Sequence, residues 1–235
     1  MIYKVKKGEP PFTPSGQAAH SPIPHYDIEG AYQTITYRLG DSLPVEVLKE
    51  LGGSGGAGGS PVDSPRYIKT PEEKKAEDQR RQRIEKYLDA GHGSCVLQRA
   101  EIAKIVIDNW RFFNSQRYDL IAYVVMPNHV HVLIKTYKEW RLRDVVHGWK
   151  SFTGKEIKKV LLKTGEPPVP PAVPPSLAES VWQSNYWDRF IRNEQHFFNT
   201  VQYIHNNPVK AGLCKEPEDW YGSSVASFIY PVELL

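Results

Sequence analysis

Cysteine is scarce in this chain. There are two in 235 residues, Cys95 and Cys214, far apart and in no CxxC pair. A disulfide framework and a cysteine zinc site are therefore not expected, and a reducing cytoplasm is the expected setting. Long apolar runs are missing too. No stretch approaches the roughly 18 consecutive apolar residues of a membrane span. The opening MIYKVKKGEPPF has no apolar run behind its basic residues, so no secretory signal is expected. An excess of one charge is also absent: 30 Lys+Arg against 27 Asp+Glu leave +3. That balance neither demands nor excludes nucleic acid, so local charge matters more. The rest is ordinary for a globular chain, 40% hydrophobic and 24% charged. Its length suits one elaborated domain or two small ones.

Residues 1–30 carry Pro10, Pro11, Pro14, Pro22 and Pro24 with few large aliphatics and read as an extended arm. The β-branched and aromatic run 31–39, ended by Gly40-Asp41, predicts a strand and a turn. GGSGGAGGSP at 52–61 reads as a flexible linker or an artificial replacement of a loop. The charged run 72–87, free of Gly and Pro, predicts a surface helix. Ile102, Ile105, Val106, Trp110 and Phe113 have the spacing of an amphipathic helix. Residues 118–126 and 129–136 read as two strands of a hairpin, turning at Met126-Pro127-Asn128. Residues 141–163 return to helical spacing, with Gly154 a candidate interruption. Six prolines in 167–175 make 165–175 an extended spacer. A short strand is expected within 181–191. Asn193 should cap a last helix from Glu194 to Asn207, which Pro208 should stop. This order predicts an α+β fold, an antiparallel sheet with helices mainly on one face. The domain would cover 31–215, leaving 216–235 as a C-terminal tail.

His129-Val130-His131 is the sharpest chemical feature. Side chains at i and i+2 of a strand share a face, so both imidazoles project together while Val130 and Val132 point away. Such a pair can share one divalent ion. It can equally be two half-buried histidines of a sheet. In the last helix, Phe197, Val201 and Ile204 form the core stripe. Tyr203 and Asn207, at i and i+4, are neighbours on its flank, with His196 and Thr200 nearby. That flank points either toward a site or toward plain packing of the Tyr203 ring. Residues 138–163 hold eight Lys/Arg and three acids, with Trp140, Trp149 and Phe152 between them. The segment could neutralise phosphates and stack bases. Burial is the simpler reading for Trp149 and Phe152.

The strings YVVMPNHVHVLI (123–134), VVHGWKSFT (145–153) and YIHNNPVKAGL (203–213) resemble the single-tyrosine HUH transposases. Within them, the resemblance is to the REP-associated tyrosine transposase (RAYT) branch, over about residues 25–215. TITYRLGDSLP and EKYLDAGHGSCVL are similar to that branch as well. The resemblance implies a ferredoxin-like (RRM-like) sheet with an HUH endonuclease core, acting on single-stranded or hairpin DNA. It implies His129 and His131 as metal ligands, Tyr203 as the nucleophile and Asn207 as a further ligand, with Mg²⁺ or Mn²⁺ as cofactor. Lys150, Lys158 and Arg192 are the candidate phosphate contacts, and His196 is a candidate base by position. Relatives include monomers and homodimers, so the oligomeric state stays open. The 52–60 stretch and the long proline spacer depart from the pattern. Two other classes stand beside this expectation: a domesticated hairpin-binding protein without cleavage, and a small-phosphodiester hydrolase using only the His pair.

Overall fold

The computed structural model describes residues 30–44, 46–47, 70–163 and 180–226. The N-terminal arm up to residue 29, the glycine-rich 52–61 stretch and the proline spacer 165–175 lie outside the described residues. Among the described residues, four strands and four helices longer than two turns follow in the order β1 (Tyr32–Arg38), α1 (Pro71–Asp89), α2 (Ala100–Phe113), β2 (Tyr118–Val125), β3 (His129–Thr136), α3 (Leu142–Lys163), β4 (Trp187–Phe190) and α4 (Glu194–Lys210). The sheet runs β2-β3-β1-β4 and every pairing is antiparallel. With α2 between β1 and β2 and α3 between β3 and β4, this is the split arrangement of a ferredoxin-like sheet. No described helix is long and apolar enough to cross a membrane.

Strand alternation sorts the sheet's two faces. Ile35, Tyr37, Tyr123, Val125, Val130, Val132 and Ile134 join the larger core, with Ile102, Val106 and Trp110 of α2 and Val145, Trp149 and Ile157 of α3. Ala122, Val124 and Leu133 point the other way and meet Phe197 and Ile204 of α4. The helices are therefore not mainly on one face. The apolar stripe of α4 covers the second face, the one on which the two imidazoles project. Helix α1 borders that side as well: Ile84 and Leu88 pack with Leu43 and against Trp187 of β4. Thr70 caps α1 and exchanges bonds with Glu73 in a capping box, which fixes where it starts.

Three local expectations change. Helix α3 runs unbroken through Gly154. A glycine costs a helix about 1 kcal/mol, too little to break one anchored by buried Trp149 and Ile157 on either side. Pro208 does not stop α4, which continues to Lys210. Proline lacks one donor, and near a helix end that single loss is tolerable. Gly212, at φ 71°, then lets Leu213 N–H reach the Pro208 carbonyl at 2.9 Å. Phe152 is 50% exposed, unlike Trp149, so only one of the two aromatics belongs to the core.

Beyond α4 the chain crosses the outer edge of β2. Val125 N–H donates to the Gly222 carbonyl at 2.8 Å, Ser224 N–H to the Tyr123 carbonyl at 2.9 Å, and the Trp220 indole to the Val125 carbonyl at 2.8 Å. Gly222 is needed there, because a Cβ would lie 2.7 Å from the Val125 oxygen.

Candidate active site

The site is built on β3. Cross-strand register sets His131 opposite Thr36 of β1 and Val124 of β2, in the middle of the sheet. His129 and His131 are buried at 1% and 4% exposure, with ring centroids 4.8 Å apart and planes at 85°. Their Nε2 atoms lie 3.1 Å apart. Each Nδ1 has its own partner: Asn128 Oδ1 for His129 at 2.8 Å, and Thr36 Oγ1 for His131 at 2.7 Å.

These partners fix part of the proton arrangement. Asn128 Nδ2 donates to the His92 carbonyl at 2.8 Å, so its oxygen is the end turned to His129. An amide oxygen only accepts, so His129 carries its proton on Nδ1 and offers a lone pair at Nε2. His131 faces a hydroxyl, which can donate or accept. If His131 is also protonated at Nδ1, two lone pairs meet at 3.1 Å, and a cation between them relieves the repulsion. Burial holds both imidazoles neutral. It lowers His129 well below its ordinary value, with His131 and Lys210 adding to the effect. His131 is lowered to about 3 by burial, then by Lys210 and Arg81. Neutral imidazole is the metal-binding form.

Helix α4 brings the remaining groups. The Tyr203 ring packs edge-on to His131, centroids 5.4 Å apart at 71°. Asn207 follows one turn later and is 1% exposed. Neither its Oδ1 nor its Nδ2 has a hydrogen-bond partner within 3.5 Å, though the carboxamide lies near enough to the Tyr203 phenol to favour its anion. An amide left so costs roughly 1–3 kcal/mol, and such an orphan marks a place for a ligand or ion. Among the described residues no cluster of three or more His, Cys, Asp or Glu could hold a metal. The third donor would be this carboxamide, a neutral oxygen suited to a hard divalent ion. The residues present thus fit a metal held by two imidazoles and one amide.

Tyr203 keeps its proton in this setting. Burial pushes its phenol up, Glu85 and Asp89 add to that, and Asn207 and Arg81 oppose it. As a whole residue Tyr203 is still 37% exposed. Lys210 stands 6.0 Å from the Tyr203 ring centroid. Its ammonium donates to Asp89 Oδ2 of α1 at 2.7 Å.

His129, His131, Tyr203 and Asn207 thus lie along one line of neighbours. Of the other candidates from the sequence, Lys150 and Lys158 belong to the opposite layer, while Arg192 and His196 stand at the start of α4. Lys150, on α3, donates to the Gln183 and Ser184 carbonyls at 2.6 Å each. Burial, then Arg38, lowers it to about 8. Lys158 is half-buried on the same helix. Arg192 is exposed just after β4, and its backbone N–H donates to His196 Nδ1 at 3.2 Å. His196 is thus tied to the helix start and is lowered by burial, then by Arg189 and Arg192. Sequence reasoning assigned no role to Thr36, Asn128, Lys210 or α1. Asn128 adjoins the His pair and Thr36 alternates on the strand read from 31–39. Only the register, which the sequence does not print, sets Thr36 against His131.

Residues 109–207 match the sequence model of the family described as "Transposase IS200 like". A "REP-associated tyrosine transposase" of Escherichia coli (strain K12) is 28% identical over 120 residues, 49% of this chain and 62% of that one. A relative from Haemophilus influenzae is 26% identical over 127 residues, 48% of this chain and 65% of that one. The chain thus spans less than two thirds of the length of these curated relatives. A solved structure, "Structure of the REP associates tyrosine transposase bound to a REP hairpin", aligns at 18% identity with a TM-score of 0.43, covering 90% of this chain and 88% of that one.

Proposed function

We propose that this chain, whose residues 109–207 match the IS200-like transposase model, cuts and rejoins single-stranded DNA beside hairpins through a tyrosyl-phosphate link. The observation that carries this is the convergence of a buried neutral imidazole pair, a phenol ring against it, and an unpartnered carboxamide one turn beyond.

Tyr203 Oη forms a bond to the phosphorus of a phosphodiester. The P–O3′ bond breaks, and its electron pair leaves with the 3′ oxygen, which takes up a proton. The phenol proton passes to a base. The products are a 5′-phosphotyrosine link and a free 3′-hydroxyl. One diester has replaced another, so a 3′-hydroxyl can reverse the step without ATP. A Mg²⁺ or Mn²⁺ ion held by His129, His131 and Asn207 would supply Lewis-acid polarisation of the phosphate. Asn128 and Thr36 hold the two rings in orientation. Burial keeps the rings uncharged at neutral pH. The half-exposed Tyr203 admits a flexible strand more readily than a stiff duplex. The REP association of the Escherichia coli relative makes hairpin-flanked single strands the substrates to try first.

The test is incubation with a pool of hairpin-flanked oligonucleotides and Mn²⁺, followed by sequencing of covalently trapped strands. Tyr203→Phe should abolish the adduct while DNA binding persists. An undiminished adduct in that variant removes Tyr203 from the mechanism. Tight hairpin binding with no nicking by the unaltered chain would make it a binding module instead. Turnover of a small chromogenic diester, indifferent to Tyr203, would make it a hydrolase.

A further inference from the structure

Asn199, Gln202, Tyr203, Asn206 and Lys210 form an open, shallow face on the outer side of α4. These positions, i, i+3, i+4, i+7 and i+11, form one stripe on the helix. Three are amides, able both to donate and to accept. The cation at the end of the stripe is already engaged. Lys210 Nζ meets Asp89 Oδ2 at 2.7 Å, with the lysine side chain 54% exposed and the aspartate 17%. The pair joins α4 to α1. The acid is fixed, while the ammonium sits on a long stem at the surface.

Asp89 has companions. At 3.6 residues per turn, Asp78, Glu85 and Asp89 fall within about 40° of one another on α1. Asp78 faces Arg189 of β4 at 3.8 Å. Glu85 and Asp89 are near enough to Tyr203 to disfavour its phenolate. Two of these carboxylates, Glu85 and Asp89, thus lie beside the nucleophile candidate: Glu85 is paired within α1 to Arg81 at 3.5 Å, and Asp89 to Lys210 of α4. A phosphodiester attacked by Tyr203 must come to this same neighbourhood, and it carries the same charge.

We propose that Lys210 is the phosphate-binding residue of the Tyr203 face, and that Asp89 is its resident counter-ion, exchanged for a phosphodiester when single-stranded DNA enters along Asn199, Gln202 and Asn206. The inference rests on the strand-transfer reading and adds to it a binding site and an exchange of partners. On entry the Lys210–Asp89 contact breaks and a Lys210–phosphate contact forms. Asp89, no longer neutralised, then repels the strand unless it is removed.

Binding of a fluorescent unstructured oligodeoxynucleotide to the full chain, in EDTA and across a salt series, tests this without cleavage. Lys210→Ala should weaken binding roughly tenfold and reduce the slope of log K against log salt by about 0.7, one single-strand phosphate. Lys210→Arg should restore the slope. Asp89→Asn should tighten binding several-fold, and should do so only while Lys210 is present. Unchanged affinity in Asp89→Asn together with an unchanged slope in Lys210→Ala overturns the inference. So does weaker binding in Asp89→Asn at an unaltered melting temperature, since the carboxylate would then support the bound strand rather than compete with it. The two readings separate cleanly. Covalent adducts with unmoved slopes sink the exchange alone. Moved slopes in a chain that never forms an adduct leave the binding face and sink the strand transfer.

Discussion

Val130 and Val132 look into one layer of the molecule; His129 and His131, each one residue away, look into the other. The first layer is a core of aromatic and branched side chains between the sheet and α2–α3, including fully buried Trp110 and Trp149. Its polar atoms include a closed relay: the Tyr118 hydroxyl donates to the Trp110 carbonyl and accepts from the Trp149 indole, both at 2.9 Å. The second layer is smaller, and α4 closes it only in part. One layer supplies stability. The other holds two facing imidazoles and an amide with both polar atoms unpartnered, whereas the first layer has only single unpartnered atoms such as Tyr37 Oη and Trp110 Nε1.

The comparison can be broken most forcefully in the first layer. Trp149→Ala should cost about 3–5 kcal/mol in urea denaturation, whereas Tyr203→Phe should change stability by less than about 0.5 kcal/mol. Equal losses would mean that α4 is as much a part of the core as α3. A smaller effect is expected at Asn128. Asn128→Ala removes the acceptor for His129 and should weaken Mn²⁺ binding about 10- to 100-fold by calorimetry, with Asn128→Asp recovering much of it. Unaltered affinity in Asn128→Ala would leave Asn128 only as an anchor for the 92–94 loop. The last effect is a slope with pH. Burial holds both folded imidazoles below the ordinary 6.5. The unfolded chain therefore takes up protons first, and stability is lost as pH falls below that value. The slope approaches about 1.4 kcal/mol per pH unit per histidine. Replacing both histidines with Gln should remove most of it, leaving the share of His196 and His205, which burial also lowers. A slope undiminished by the double replacement would assign it to other groups.

Much of this was legible in the residues. Alternation through His129–Thr136 separated imidazoles from valines, and the 3.6-residue period of 194–207 put Tyr203 beside Asn207. Both relations are local, carried by backbone geometry. The missing parts depend on distant pairing. Nothing in 72–87 announces that Glu85 would stand beside Tyr203 of α4, because a charged helix has the same pattern whether it faces solvent or a site. Pro208 was read by a rule for helix interiors, but it lies where the carbonyls are already turning to other donors. Phe152 follows the heptad of its neighbours yet points outward, since a 22-residue helix buries only one stripe of its surface.

The crossing of residues 222–224 over β2 has a wider consequence. A sheet of four strands has two borders, and unpaired backbone at a border is a template for intermolecular pairing. Here Gly222 and Ser224 occupy the outward-facing groups of Val125 and Tyr123, and the opposite border is a strand of four residues. Neither rim offers a long bare ladder on which a second chain could grow a fibril.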